Sequence, residues 1–317
     1  MAQPPPELDG LLAFPLTPFT RDLDLDLDAF AEMVEGHVAG GAGALFIACG
    51  TGEFSALTAD EHAALLRRAR EVVAGRVPVW AGAGGGAATA RAGVLAAQEG
   101  NADGVLLLPP YLVSGPPSGL VDHVRYAVRD TGVPVVVYHR SNGAFTPASA
   151  VELLDLPSVV GLKDGVGDVE LMSRIVTSIR SSGAPRADDF LFFNGLPTAE
   201  VSARAYKAIG VPRYSSAVHC FAPRIAVRFH GALAAGDDTV VEALLAGFYL
   251  PLVALRDETP GFAVSLVKAA ARLRGDRVGG VRPPLVEPGE RQIERLERIV
   301  QDGHALLAAL DGDGARR

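Results

Sequence analysis

At 317 residues the chain is long enough for one (β/α)8 barrel of roughly 250 residues plus an extension. Its formal net charge of −8 and the scatter of its 29 basic residues exclude the basic stripe by which nucleic acid is usually bound. Hydrophobic residues make up 49% and aromatic residues 6%, so the interior is built mainly from Ala, Val and Leu, which suits buried parallel strands under Ala-rich helices.

The start, Met1-Ala2-Gln3-Pro4-Pro5-Pro6-Glu7, has no charged region followed by an apolar one, so no signal peptide is expected. No uncharged apolar stretch is long enough to span a bilayer. The two cysteines, Cys49 and Cys220, form no Cys-x-x-Cys pair and argue against a disulfide framework or structural zinc. A reducing compartment follows, and the expected location is the cytoplasm, with neither membrane nor nucleic acid as partner.

Strand-like apolar runs fall at Leu11–Thr17, Ala44–Ala48, Val77–Ala83, Gly104–Leu108, Val133–Tyr138, Val159–Lys163, Phe190–Phe193 and Arg213–Val218. Segments with apolar residues three and four apart lie between them, as at Ala63–Val73, Val121–Val128 and Leu171–Ile179. Eight such units in even series predict a parallel sheet closed as a (β/α)8 TIM barrel. Thr58-Ala59-Asp60-Glu61 reads as a capping box, and Asp28 as the cap of a helix beginning near Ala29. The alternating run Asp22–Asp28 reads as a solvated loop leading to that cap. After Val218 the strand pattern stops, and helical stretches follow at Thr239–Leu255, Phe262–Leu273 and Glu290–Leu310. Residues 1–236 are therefore expected to form the barrel, and 237–317 a three-helix C-terminal extension packed on it.

In such a barrel the chemistry sits at the C-terminal ends of the strands. Lys163 ends the sixth strand in Val159-Val160-Gly161-Leu162-Lys163-Asp164-Gly165. Of the 29 basic residues only Lys163, Lys207 and Lys268 are lysines. A lysine at a strand end, in a chain that otherwise uses arginine, suggests a task that a guanidinium cannot perform, namely attack by a neutral amine. The plainer reading is an ion pair with Asp164 or Asp168. Tyr138 ends the neighbouring strand, where its hydroxyl can relay protons. A core tyrosine reads the same way. Arg140, in the following loop, can clamp a carboxylate. Gly50-Thr51-Gly52-Glu53 follows the second strand, and the amides of such a turn, with the Thr51 hydroxyl, can hold a carboxylate. Cys49 beside it reads as a small core residue. Gly82–Ala87 partly mimics a dinucleotide fingerprint but lacks the ribose-binding acid. The seven histidines show no metal-ligand spacing. No metal and no cofactor are expected.

Together these residues resemble the family of dihydrodipicolinate synthase and N-acetylneuraminate lyase over nearly the whole chain. Phe14-Pro15-Leu16-Thr17-Pro18-Phe19 resembles its first strand, Gly50-Thr51-Gly52-Glu53 its carboxylate-binding turn, Tyr138 its relay tyrosine and Lys163 its Schiff-base lysine. Gly161–Asp168, Leu107–Leu112, Pro197–Glu200 and Tyr214–Val218 resemble the branch that dehydrates 5-dehydro-4-deoxyglucarate. Gly50 replaces the first of the two threonines usual in the synthases, and His139 stands where the dehydratases are expected to carry Asn. The resemblance implies a lyase that takes a keto sugar acid, binds it covalently at Lys163, and releases water and carbon dioxide to leave 2,5-dioxopentanoate. It implies substrate contacts from Gly50, Thr51, Gly52, Arg140, Asn194 and Ser215. It further implies a homotetramer built as a dimer of dimers, with Tyr111 reaching across an interface. A 2-keto acid aldolase or synthase would use the same lysine and tyrosine, whereas a non-catalytic sugar-acid sensor would need neither.

Overall fold

The computed structural model describes residues 5–314, so the N-terminal stretch read above for a leader lies partly outside the described residues. Eight strands, β1 (Leu11–Ala13), β2 (Ala42–Ile47), β3 (Val79–Ala83), β4 (Gly104–Leu107), β5 (Val135–His139), β6 (Val159–Asp164), β7 (Leu191–Asn194) and β8 (Arg213–Ser216), pair in sequence order. All pairings are parallel, and β8 closes on β1, so the fold is the expected (β/α)8 TIM barrel. Helices α1 (Leu27–Ala39), α2 (Ala59–Val73), α3 (Ala87–Glu99), α4 (Pro117–Ala127), α5 (Pro147–Glu152), α6 (Val169–Arg180), α7 (Ala203–Ala208) and α8 (Pro223–Ala235) follow the strands in turn.

Strand alternation sorts the side chains. One set, including Leu45, Val79, Val105, Val135 and Leu162, packs outward against the helices. The other, including Phe14, Phe46, Trp80, Val136, Tyr138 and Phe193, fills the barrel. Three inner rings stack in a row: Phe14 on Phe46 at 4.7 Å between centroids, and Phe46 on Trp80 at 5.4 Å. A bulge in β6 pairs Val135 with Val159 but Val136 with Gly161. That extra residue lets Val160 and Lys163, three apart in sequence, both face the interior.

Several boundaries differ from expectation for local reasons. β1 stops at Ala13 rather than Thr17, because Pro15 and Pro18 cannot donate to a ladder. Thr17 instead donates its hydroxyl to Gly52 O at 2.7 Å. β8 ends at Ser216, and Val218–Cys220 winds into a 3₁₀ turn. The cap of α1 is Asp26, not Asp28: its carboxylate accepts from Ala29 N at 2.9 Å, and Asp28 lies inside the first turn. The capping box at Thr58 and Glu61 is present.

The extension comprises α9 (Asp238–Leu244), a wide π turn at Leu245–Tyr249, α10 (Leu250–Arg256), α11 (Phe262–Arg274) and α12 (Glu290–Gly314). By length and composition alone Asp238–Arg256 is apolar enough to cross a membrane, although it is not uncharged, since it carries Asp238, Glu242 and Arg256. Its Val241, Leu244, Phe248, Tyr249 and Leu255 are instead buried in a cluster shared with α8, α11 and α12. It is thus a core helix of the extension. Burial of that apolar face is what holds these helices to the β1 and β8 side of the barrel.

Candidate active site

β5 and β6 bring the two central residues together. The ladder makes Tyr138 and Lys163 register partners, and both side chains turn into the barrel. Lys163 is 6% exposed, with its Nζ 4.3 Å from the Phe14 ring centroid and 4.3 Å from that of Tyr138. The amine therefore sits between two aromatic faces above the stacked inner rings. The acids that offered it an ion pair are engaged elsewhere. Asp164 points out of the barrel, where its carboxylate accepts from Val166 N at 2.9 Å, Gly167 N at 3.3 Å and the Tyr206 hydroxyl. Asp168 caps α6 through Leu171 N.

Two glycines that sequence reading passed over make room for this pair. A Cβ on Gly195 would lie 2.7 Å from Lys163 Cε and Cγ, and one on Gly165 would lie 2.7 Å from Tyr138 Cε2. Only glycine permits such close approach. The signal was present in the sequence as a glycine directly after each of two neighbouring strands.

The Tyr138 hydroxyl donates to Gly195 O at 2.8 Å and accepts from Arg140 Nη1 at 3.2 Å. Arg140 itself is exposed at the mouth. The phenol oxygen links the Arg140 guanidinium to Gly195 O, a hydrogen-bonded geometry that suits a proton relay. Arg140 is thus tied to the phenol as well as being open to a substrate carboxylate.

After β2 the chain turns sharply through Ala48, at φ +52°, and Glu53, at φ +58°. Glu53 N donates to Gly50 O, Phe54 N to Cys49 O, and Thr17 holds Gly52 O from the other side. Of the turn residues expected to contact substrate, Gly50 is exposed, Thr51 half-buried and Gly52 buried. Thr17 was not anticipated, since it had been read as part of a strand. Cys49 is buried within the inner cluster, as expected. Burial pushes its thiol up to about 12, against the pull of nearby Lys163, so it stays a thiol at neutral pH.

Ser215 lies between Tyr214 and Ser216, both outward-facing, and so turns to the interior, half-buried. Asn194, by contrast, does not reach the mouth. It is fully buried, its Nδ2 donates to Ala199 O and Ser202 Oγ, and its Oδ1 accepts from Leu196 N. The next residue of an alternating strand after inward Phe193 must face outward, so Asn194 shapes the loop instead of touching substrate. His139 is likewise on the outer face, 1% exposed, with its Nδ1 accepting from Phe145 N at 2.7 Å. Its burial lowers its pKa below the usual histidine range. The departure at position 139 therefore falls outside the barrel interior. Tyr111, in the loop after β4, is 71% exposed and does not enter the site of its own chain. Among the described residues no group of three or more His, Cys, Asp or Glu is placed to hold a metal ion.

A protein of Streptomyces coelicolor named "Probable 5-dehydro-4-deoxyglucarate dehydratase 1" is 53% identical over 298 residues, 94% of each chain. Among solved structures, dihydrodipicolinate synthase from Bacillus clausii superposes with a TM-score of 0.85 at 25% identity, covering 93% of this chain and 97% of that one. YagE of E. coli K12, a prophage protein of the dihydrodipicolinic acid synthase family in complex with pyruvate, superposes with a TM-score of 0.81 at 25% identity, covering 94% and 99%. The model of the dihydrodipicolinate synthetase family matches residues 7–303. The chain belongs to the dihydrodipicolinate synthetase family.

Proposed function

We propose that the chain dehydrates and decarboxylates 5-dehydro-4-deoxy-D-glucarate to 2,5-dioxopentanoate through an imine on Lys163. The observation that carries this reading is the placement of the Lys163 amine, buried between Phe14 and Tyr138 with no acid beside it among the described residues. The name shared by close relatives supports the substrate.

In this mechanism Lys163 attacks the C5 ketone, and Tyr138 carries the proton needed to expel the carbinolamine hydroxyl as water. The protonated imine acts as an electron sink, which makes a C4 proton acidic. Loss of that proton expels the C3 hydroxyl as water and leaves a conjugated unsaturated imine. The C1–C2 bond then breaks, its electrons flow through the conjugated system to the imine nitrogen, and C1 departs as carbon dioxide. Tautomerisation gives the aldehyde at C2, and hydrolysis frees the 2-keto acid and the lysine. One amine thus serves both eliminations. The Gly50–Glu53 turn with Thr51 holds the carboxylate next to the ketone, and Arg140 and Ser215 face the rest of the substrate.

The reading includes self-association as a tetramer. The loop Tyr111-Leu112-Val113, with side chains 71%, 77% and 65% exposed, supplies an apolar surface that association would cover. It also includes a cytoplasmic location, which suits two buried free thiols. The test is an assay for carbon dioxide and 2,5-dioxopentanoate from the keto acid. Turnover without carbon dioxide release would overturn it. The pyruvate bound by YagE favours a second reading, addition of a 2-keto acid to an aldehyde. Incubation with pyruvate and an aldehyde separates the two, since only the second yields a condensation product.

A further inference from the structure

Of the two lysines that the chemistry does not use, one is as unusual as the one it does. Lys268, on α11, is fully buried. Its Nζ donates to Gly280 O at 2.6 Å and lies 2.7 Å from Glu53 Oε1, and both side chains of this ion pair are 1% exposed or less. Burial lowers its pKa to about 8 in spite of Glu53. Taking two charges out of water is costly, and their attraction only partly repays it. A pair of this kind is weak evidence for stability, so its position is the better guide to its use.

That position is the back of the carboxylate-binding turn. Glu53 closes the turn in a left-handed conformation that a glutamate rarely adopts, and such strain persists only where neighbours impose it. Here they come from the extension. Glu53 Oε2 accepts from Arg282 N at 2.9 Å, in the loop 275–289 between α11 and α12, while Oε1 meets Lys268. Both cations lie over the Phe19 ring, with Lys268 Nζ 4.1 Å and Arg282 Cζ 4.2 Å from its centroid. Arg282 then reaches over the turn to Ala56 O, Leu23 O and both oxygens of Glu61. The loop after β1, the turn after β2 and the extension thus meet at one buried point.

We propose that Lys268 and Glu53 are positioning residues through which the C-terminal extension sets the Gly50–Glu53 turn for the substrate carboxylate. Neither touches substrate, and both act through the backbone of Thr51 and its neighbours. The inference rests on the Schiff-base reading above.

The test uses the full chain carrying Glu53→Gln/Lys268→Met, which leaves no lone buried charge. Borohydride trapping at Lys163, read by peptide mass, is followed against the concentration of pyruvate and of hydroxyacetone, a 2-keto compound lacking the carboxylate. Half-saturation by pyruvate is expected to rise about tenfold or more in this variant, as misplaced binding groups generally cause. Half-saturation by hydroxyacetone and the maximal labelling are expected to stay at the wild-type values. Unchanged half-saturation by pyruvate, or equal weakening of both probes, would overturn the proposal, because the pair would then hold the fold without setting the turn. A wild type that traps neither probe would overturn the Schiff-base reading and this inference with it.

Discussion

Tyr138 and Lys163 are register partners across β5 and β6, and the lysine Nζ lies 4.3 Å from the centroid of the phenol ring. Their proximity is set by the backbone ladder rather than by flexible loops, which is how a site gains fixed geometry. The phenol oxygen is held in turn by Gly195 O and Arg140, one accepting and one donating.

Tyr138→Phe should keep the fold, because the ring stays in place under the amine and only the hydroxyl is lost. Turnover should fall by about 10²–10⁴, the usual worth of one proton relay. Circular dichroism and steady-state kinetics check the two halves. Wild-type turnover in a folded variant would remove the relay role.

Gly195→Ala should act on the amine directly. The new methyl would stand 2.7 Å from Lys163 Cε and 2.7 Å from Asp164 O, closer than carbon atoms tolerate. Movement of the lysine relieves only the first of these clashes; Asp164 O is backbone, so the strand ends must shift as well and thermal stability should fall. Borohydride trapping at Lys163 should be lost or slowed. A variant that traps substrate at the wild-type rate would show that the amine has another resting place.

The fold was legible because each strand is a short apolar run of the kind that parallel sheets bury, and eight of them recur at even spacing. The site was legible only in part. Lys163 and Tyr138 stood out because each closes an apolar run in the sequence, and strand ends are where barrels place chemistry. Asn194 ends a strand too, yet faces outward, and His139 does the same. Which face a terminal residue takes depends on register and on bulges such as that in β6, which leave no mark in composition. Lys268 and Arg282 were invisible for a different reason. Their partners Glu53 and Glu61 lie more than 200 residues away, and nothing local signals a contact made only by the packed extension.

Glu200 offers a pH test independent of catalysis. It is fully buried, its Oε1 accepts from Ser216 Oγ at 2.6 Å, and burial pushes its pKa up from 4.5 to about 7. In the unfolded chain the carboxyl ionises near 4.5, while the folded state keeps its proton to about 7. The folded state thus binds more protons across that window, and stability falls as pH rises through it. The full penalty, at most about 3 kcal/mol, is present at pH 8 and absent below about 4.5. Glu200→Gln resembles the protonated acid at all pH values. Its melting temperature should exceed that of wild type at pH 8 and match it at pH 4.5. Equal melting temperatures at pH 8 would show that the carboxylate is accommodated as an ion.

Lys163→Arg separates chemistry from charge. Arginine keeps a cation over the Phe14 and Tyr138 rings, so a role confined to packing and cation–π contact would survive the change. It cannot form an imine at neutral pH, because its pKa is above about 12. The plain alternative, an ion pair with Asp164 or Asp168, has already lost its partners to the α6 cap and the loop amides. The variant is expected to fold and to be inactive. In the wild type, borohydride with a 2-keto acid should add the mass of the reduced adduct at Lys163. Lys207 should stay unlabelled, because its amine is tied to Leu233 O and Ala234 O at the end of α8. Lys268 should stay unlabelled because it is sealed behind the turn. Label found on either of those two lysines instead of Lys163, no label at all, or an active Lys163→Arg enzyme would rule out the imine at Lys163.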